Sequence, residues 1–183
     1  MPMEMSRRSA AQAPPERQLV LFGVGSVVYG LPIERVREVV NPQSIVELPH
    51  APTSIVGVAD HRGDVVPVID LRAKFGLPPL GDVDARRRVK WIMVDVGVSG
   101  GPSRIVATVV DVVHNVFMTR DPLRPAPPLG GGEATRGIAG VLSRGGATGP
   151  ADRGLIFVLD LDPLRALAEP LSERAQAPQG DPR

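Results

Sequence analysis

Three histidines, a pair of carboxylates, a glycine cluster and two charged stretches are the places where this chain could carry chemistry. His50, His61 and His114 are its only imidazoles, and no H-x-x-H or H-E-x-x-H spacing joins them. A zinc site needs three or four ligands at useful spacing, and none is supplied here. The absence of cysteine removes thiolate metal sites, thiol nucleophiles and disulfides together. Asp160 and Asp162 flank Leu161 and could suggest paired acid–base carboxylates. They lie where an apolar run gives way to a helical pattern, so helix capping by Asp162 is the better reading. Gly23-x-Gly25 with Gly30 fits neither G-x-G-x-x-G nor a P-loop, and no Lys-Ser/Thr follows. It reads as a hairpin turn. No Gly-x-Ser-x-Gly elbow or Ser-His-Asp candidate is present. The sequence predicts no enzyme, no metal and no cofactor.

Two charged stretches remain. Arg86-Arg87-Arg88 with Lys90 could attract phosphate. A formal net charge of +1 and an aromatic content of 3% give that cluster neither a supporting field nor stacking platforms. Nucleic acid is therefore not expected as a partner. The other stretch is Asp60-His61-Arg62-Gly63-Asp64, set between the β-branched runs Ile55–Ala59 and Val65–Ile69. Short apolar runs around such a turn predict a buried hairpin. Gly63 can take the positive φ of a tight turn, and Pro67, lacking an amide donor, suits an edge or a bulge. The hairpin lifts the cation Arg62 out of a dry scaffold. That is a device for presentation.

The elements that must position this turn are strands. The 183 residues hold 20 glycines and 20 prolines that punctuate short Val-rich runs, the pattern of an all-β barrel or sandwich. Residues 1–17 read as a mobile tail without a signal-peptide core, and Gln18–Val24 with Val27–Leu31 as a first hairpin. A short helix is predicted from Pro32 to Arg37, passing into extended chain, followed by a strand at Ile45–Leu48. Asp70 suits a helix N-cap over Leu71–Phe75, closed by Gly76. After a long 76–88 loop come strands at Val89–Val96, Arg104–Val110 and Gly154–Leu161, then a short helix and a tail over 169–183. Glycines at 130–132 and 145–149 supply loops. No apolar run approaches the ~18–20 residues that span a bilayer, so a cytoplasmic protein without membrane insertion is expected.

Gly57-Val58-x-x-x-Arg62-Gly63-x-x-x-Pro67-Val68-x-Asp70-Leu71 resembles the central signature of CheW-like domains, the coupling proteins of bacterial chemosensory arrays. Ile33-x-x-Val36-x-Glu38-Val39, Val110-Asp111-x-Val113 with Val116-Phe117, the proline-rich Leu123–Pro128 and Gly137–Val141 continue the resemblance in order. The family turn usually reads Asn-Leu-Arg-Gly, and here Asp60-His61 replaces its first two residues. The resemblance covers about residues 18–168. It implies two packed five-stranded SH3-like β-barrels, at about 18–80 and 88–160 with room for strand exchange.

It implies also a non-catalytic adaptor bridging chemoreceptor signalling tips to the CheA histidine kinase. Val36, Glu38, Gly57 and Arg62 would meet the receptor in a groove between the barrels. Val36 would be an apolar knob, Gly57 a point of close backbone approach, and Arg62 a partner of Glu38 or of a receptor carboxylate. Kinase contacts are expected at the edge around Ile45, Val46 and Glu47. The alternatives are a nucleic-acid-binding barrel using Arg86–Lys90 and a small-molecule-binding regulatory barrel.

Overall fold

Strands that are apolar at successive positions must be covered on both faces. The structure, a computed structural model, meets that demand by packing two five-stranded sheets on each other. It describes residues 15–126, 137–144 and 154–175, with side chains to 169. The expected tail through residue 14, the glycine loops at 130–132 and 145–149, and residues 176–183 lie outside the described residues.

The strands are β1 (Arg17–Val24), β2 (Val27–Pro32), β3 (Val36–Val40), β4 (Ile55–His61), β5 (Asp64–Asp70), β6 (Lys90–Asp95), β7 (Ile105–Val110), β8 (Val112–Thr119), β9 (Ile138–Arg144) and β10 (Gly154–Leu159). Helices α1 (Leu71–Lys74), α2 (Val83–Arg88) and α3 (Asp162–Ala175) complete the fold. The first sheet has the order β8-β1-β2-β10-β9 and the second β3-β6-β7-β5-β4. The two orders have one topology. In each, an antiparallel hairpin is inserted among three strands of the other half, antiparallel to one (β8 on β1, β3 on β6) and parallel to another (β10 on β2, β5 on β7).

The halves 18–80 and 88–160 therefore do not make one barrel each. The β1–β2 hairpin completes the sheet of β8–β10, and the β6–β7 hairpin completes that of β3–β5. Parallel pairing needs a long crossover, and a crossover leaves no local trace in sequence.

Side-chain alternation sorts the apolar residues into three layers. Leu19, Leu21, Leu142, Ile156 and Val158 fill the first barrel. Ala59, Val66, Val68, Trp91, Met93 and Ala107 fill the second. The opposite faces of the same strands, with Phe22, Leu31, Ile69, Ile92 and Val94, meet in a shared core that α1 and α3 seal through Leu71, Leu164 and Ala168. Tyr29 stacks there on Phe22 and Phe75 at centroid distances of 5.8 and 4.9 Å. The sparse aromatics are thus spent largely on joining the barrels.

Several local expectations change. Only Ile33–Arg35 forms a turn of 3₁₀ helix, after which Val36 already pairs with β6. Ile45–Leu48 makes one bridge, Val46 to Val58, where a strand was expected. Pro49 has no amide with which to lengthen that ladder. The 76–88 loop contains α2, capped by Asp82. Asp70 caps α1 through the amides of Arg72 and Ala73, as its position suggests. At α3 the accepting carboxylate is Asp160, from the Asp162 amide, and the helix runs on to Ala175, past the expected start of a tail at 169. Among the described residues, no helix is long and apolar enough to cross a membrane.

Because each barrel needs both halves of the chain, Phe22→Ala should destabilise the whole molecule by ~3–5 kcal/mol. Urea unfolding followed by tryptophan fluorescence, which reports Trp91 in the second barrel, and by circular dichroism should stay coincident. Separate transitions would show barrels that fold independently.

Candidate functional site

The second sheet ends in two edges, β3 and β4, and one carboxylate joins them. A bulge between Val36 and Glu38 leaves Arg37 as the extra residue. It turns Val36 toward the shared core and Glu38 inward, opposite Met93 of the barrel interior. Arg37 is held there by Asp95, whose Oδ2 accepts from its Nη2 at 2.5 Å. Asp95 also accepts from the Ser103 hydroxyl and from the amides of Gly97 and Arg104, closing the β6–β7 loop. Burial would raise its carboxyl, but these four donors outweigh burial and hold it well below the usual carboxylate range.

An inward-facing charge on an edge strand discourages edge-to-edge aggregation but needs partners of its own. Glu38 finds two on the β4–β5 turn. His61 Nε2 lies 2.9 Å from its Oε1, and Arg62 Nη2 donates to Oε2 at 2.8 Å. His61 is half-buried at the barrel mouth beyond Ala59. Backbone geometry of the turn is demanding. His61 pairs with Asp64, leaving Arg62 and Gly63 as a two-residue connection with φ of 57° and 90°. Both values are positive, as a type I′ turn requires, and Asn-Gly is the usual occupant. The Gly63 amide donates to Asp60 Oδ1 at 2.9 Å, fixing the bend. Arg62 thus stands in a left-handed conformation unusual for its type, with its side chain 75% exposed.

Gly57 is approached closely by the chain itself. Its φ is 148°, and a Cβ there would lie 2.3 Å from the Val46 carbonyl oxygen and 2.5 Å from Ile45 Cγ2. The close approach it permits is by the chain's own 45–47 segment. Val46 exchanges two hydrogen bonds with Val58, of 2.8 and 2.9 Å, and covers part of the β4 edge. Ile45, Val46 and Glu47 all remain exposed, Val46 by 67%. The first sheet repeats the device, with Arg124 bridging Val141 and Gly140 too close to Leu123 and the Arg124 carbonyl for any Cβ. Nothing in local composition announces this repeat.

Val36, Glu38, Gly57 and Arg62 therefore gather on the edges of one barrel. One groove between the barrels, about 690 Å³, is lined by other residues, such as Ser54, Lys74, Ile138, Asp160, Pro163 and Leu167. Val36 is only half-buried but packs on the shared core, so it supports the site more than it projects from it. The basic cluster is partly engaged locally. Arg86 donates to the Leu80 carbonyl, Arg87 pairs with Asp84 and Lys90 donates to Asn41. His50 and His114 are exposed and stand apart from this site. Among the described residues, no cluster of histidine and carboxylate could hold a metal ion.

Twin barrels sharing one core thus display a cation on a constrained turn. The chain belongs to the CheW-like domain family, whose model matches residues 18–169. Proteins of this family are non-catalytic scaffolds of chemosensory signalling. It is 36% identical over 146 residues to protein FrzA of Myxococcus xanthus, covering 79% of this chain and 85% of that protein. It is 32% identical over 154 residues to chemotaxis protein CheW of Klebsiella aerogenes, covering 84% of each. The crystal structure of the scaffolding protein TtCheW from Thermoanaerobacter tengcongensis superposes with a TM-score of 0.62 at 28% identity, over 80% of this chain and 90% of that one.

The Asp95 carboxylate stabilises the fold fully above the ~3.9 of an unfolded aspartate, and that contribution is lost as pH falls below it. The urea midpoint of Asp95→Asn should accordingly fall less between about pH 5 and pH 2 than that of the wild type. Equal falls would remove Asp95 from this role.

Proposed function

We propose that this chain is a cytoplasmic adaptor that couples chemoreceptor signalling tips to a CheA-type histidine kinase. The reading rests on family membership, and one observation carries the choice of surface. Arg62 occupies a left-handed position where glycine or asparagine would be easier, while its guanidinium faces solvent. Backbone strain of this kind, of order 1–3 kcal/mol, persists where a particular side chain is needed in a particular place.

The receptor-facing surface in this reading is the mouth formed by Glu38 and Arg62, seated on Val36 and kept in register by Gly57. The kinase-facing surface is the adjacent segment Ile45, Val46 and Glu47, where two apolar side chains lie open beside a partly unpaired edge. Such a surface suits an interface that forms and rearranges, near or below ~1,200–2,000 Å² in total. Holding receptor and kinase on one double barrel raises the effective concentration of each for the other. A preference of a few kcal/mol for one kinase state then suffices to couple receptor occupancy to kinase output.

Arg62→Ala should lose receptor-tip binding in a pull-down while changing unfolding free energy by no more than ~1 kcal/mol, since an exposed ion pair contributes little. Val46→Asp should weaken kinase capture and leave receptor capture intact. A loss of ~3–5 kcal/mol in Arg62→Ala would mark a buried structural charge and contradict the docking role.

A further inference from the structure

Glu38 is served by two donors of very different exposure. The His61 side chain is 13% exposed, that of Glu38 29% and that of Arg62 75%. His61 lies on the inward face of β4, directly beyond Ala59, while Arg62 sits at the tip of the turn outside the barrel. Each donor takes a different oxygen of the carboxylate, so the two do not compete for one acceptor atom.

Removal of one donor from this arrangement has unequal consequences. If Arg62 leaves, Glu38 still holds the imidazole, and the two sheet edges remain tied. If His61 is lost, Arg62 becomes the only donor among the described residues in direct contact with this carboxylate, and releasing it strands a partly buried charge.

We propose that His61 is a positioning residue that keeps Glu38 satisfied, so that Arg62 is free to exchange Glu38 for a carboxylate on the docking partner. The inference rests on the adaptor reading and gives its partner a chemistry, an Asp or Glu side chain brought up to the barrel mouth. Arg62 suits the exchange. Its guanidinium makes a single hydrogen bond to Glu38, which leaves its other donors available to form a fork on an incoming carboxylate. The left-handed backbone at Arg62 and the Asp60–Gly63 bond keep the side chain outside during the exchange. Glu38 meanwhile continues to close the barrel through His61.

The test is a double-mutant cycle between His61→Leu and Arg62→Ala on the full chain, with His61→Gln as the variant that retains a donor. Thermal unfolding of the free protein comes first. In the wild-type background Arg62→Ala should shift the midpoint by less than about 2 °C. In the His61→Leu background the same change should lower it by about 6 °C or more, as Glu38 loses its last donor. His61→Gln should restore the small shift. Equal shifts in both backgrounds would overturn the proposal.

The second measurement is binding to a purified chemoreceptor cytoplasmic tip. His61→Leu should weaken it about tenfold, His61→Gln should leave it within about twofold, and replacing the tip's contacting acidic residue by its amide should abolish the difference. Binding by the wild type that is indifferent to His61→Leu would also overturn the proposal. If the wild type binds no receptor tip, the adaptor reading fails and the proposed exchange fails with it, while unequal thermal shifts would still establish His61 as the second holder of Glu38. The two failures are therefore distinguishable.

Discussion

Four strand pairs hold this molecule in one piece, the parallel β10–β2 and β5–β7 and the antiparallel β1–β8 and β3–β6. Each pair joins a hairpin from one half of the chain to a strand from the other. Neither sheet can be completed by consecutive sequence. The shared core follows from that exchange, because strands crossing between sheets carry apolar residues on both faces. Phe22 and Val94 look into the common layer while Leu21 and Met93 look into separate barrels. A polar tie follows the same path. Arg72, just inside α1, pairs with Asp111 at 2.5 Å, and Asp111 accepts from the Gly25 amide in the β1–β2 turn of the other sheet. A double barrel assembled in this way holds both sheets on one common core.

Strand pairing also explains how an awkward turn is tolerated. The β4–β5 connection places a large side chain at positive φ, and β4 and β5 are locked by pairing on one side and by Val46 on the other. Across the barrel mouth, Asp95 fixes the Arg37 bulge and so aims Glu38 at the turn. The chain of dependence runs from a capped loop, to a bulge, to an inward carboxylate, to an exposed guanidinium. A site built this way resides on strand ends, where position is better defined than on a free loop.

Much of this was legible in the sequence, for physical reasons that can be named. Alternation and glycine punctuation identified the strands, and Asp70 identified its own helix cap. The Glu38–Arg62 partnership came from charge and family pattern and is present at 2.8 Å. What remained hidden was long-range. Strand exchange depends on pairings between residues far apart in the chain, such as Ile156 with Val28 and Val36 with Val94. The Val36–Glu38 bulge is invisible in a run that reads equally well as a helical turn. Gly57 was recognised as a point of close approach, but its neighbour, Val46, could be identified only once the chain had folded back. The partner of His61 lies 23 positions away.

The central claim is that the mouth of the second barrel, and not the groove between barrels, is where partners dock. Amide hydrogen exchange of the full chain, alone and with a purified receptor tip or kinase regulatory domain, tests it most directly. The account predicts slowed exchange at 36–40 and 60–63 with the receptor tip and at 45–47 with the kinase domain. Protection confined to the groove residues around Ser54, Lys74 and Ile138 would contradict it.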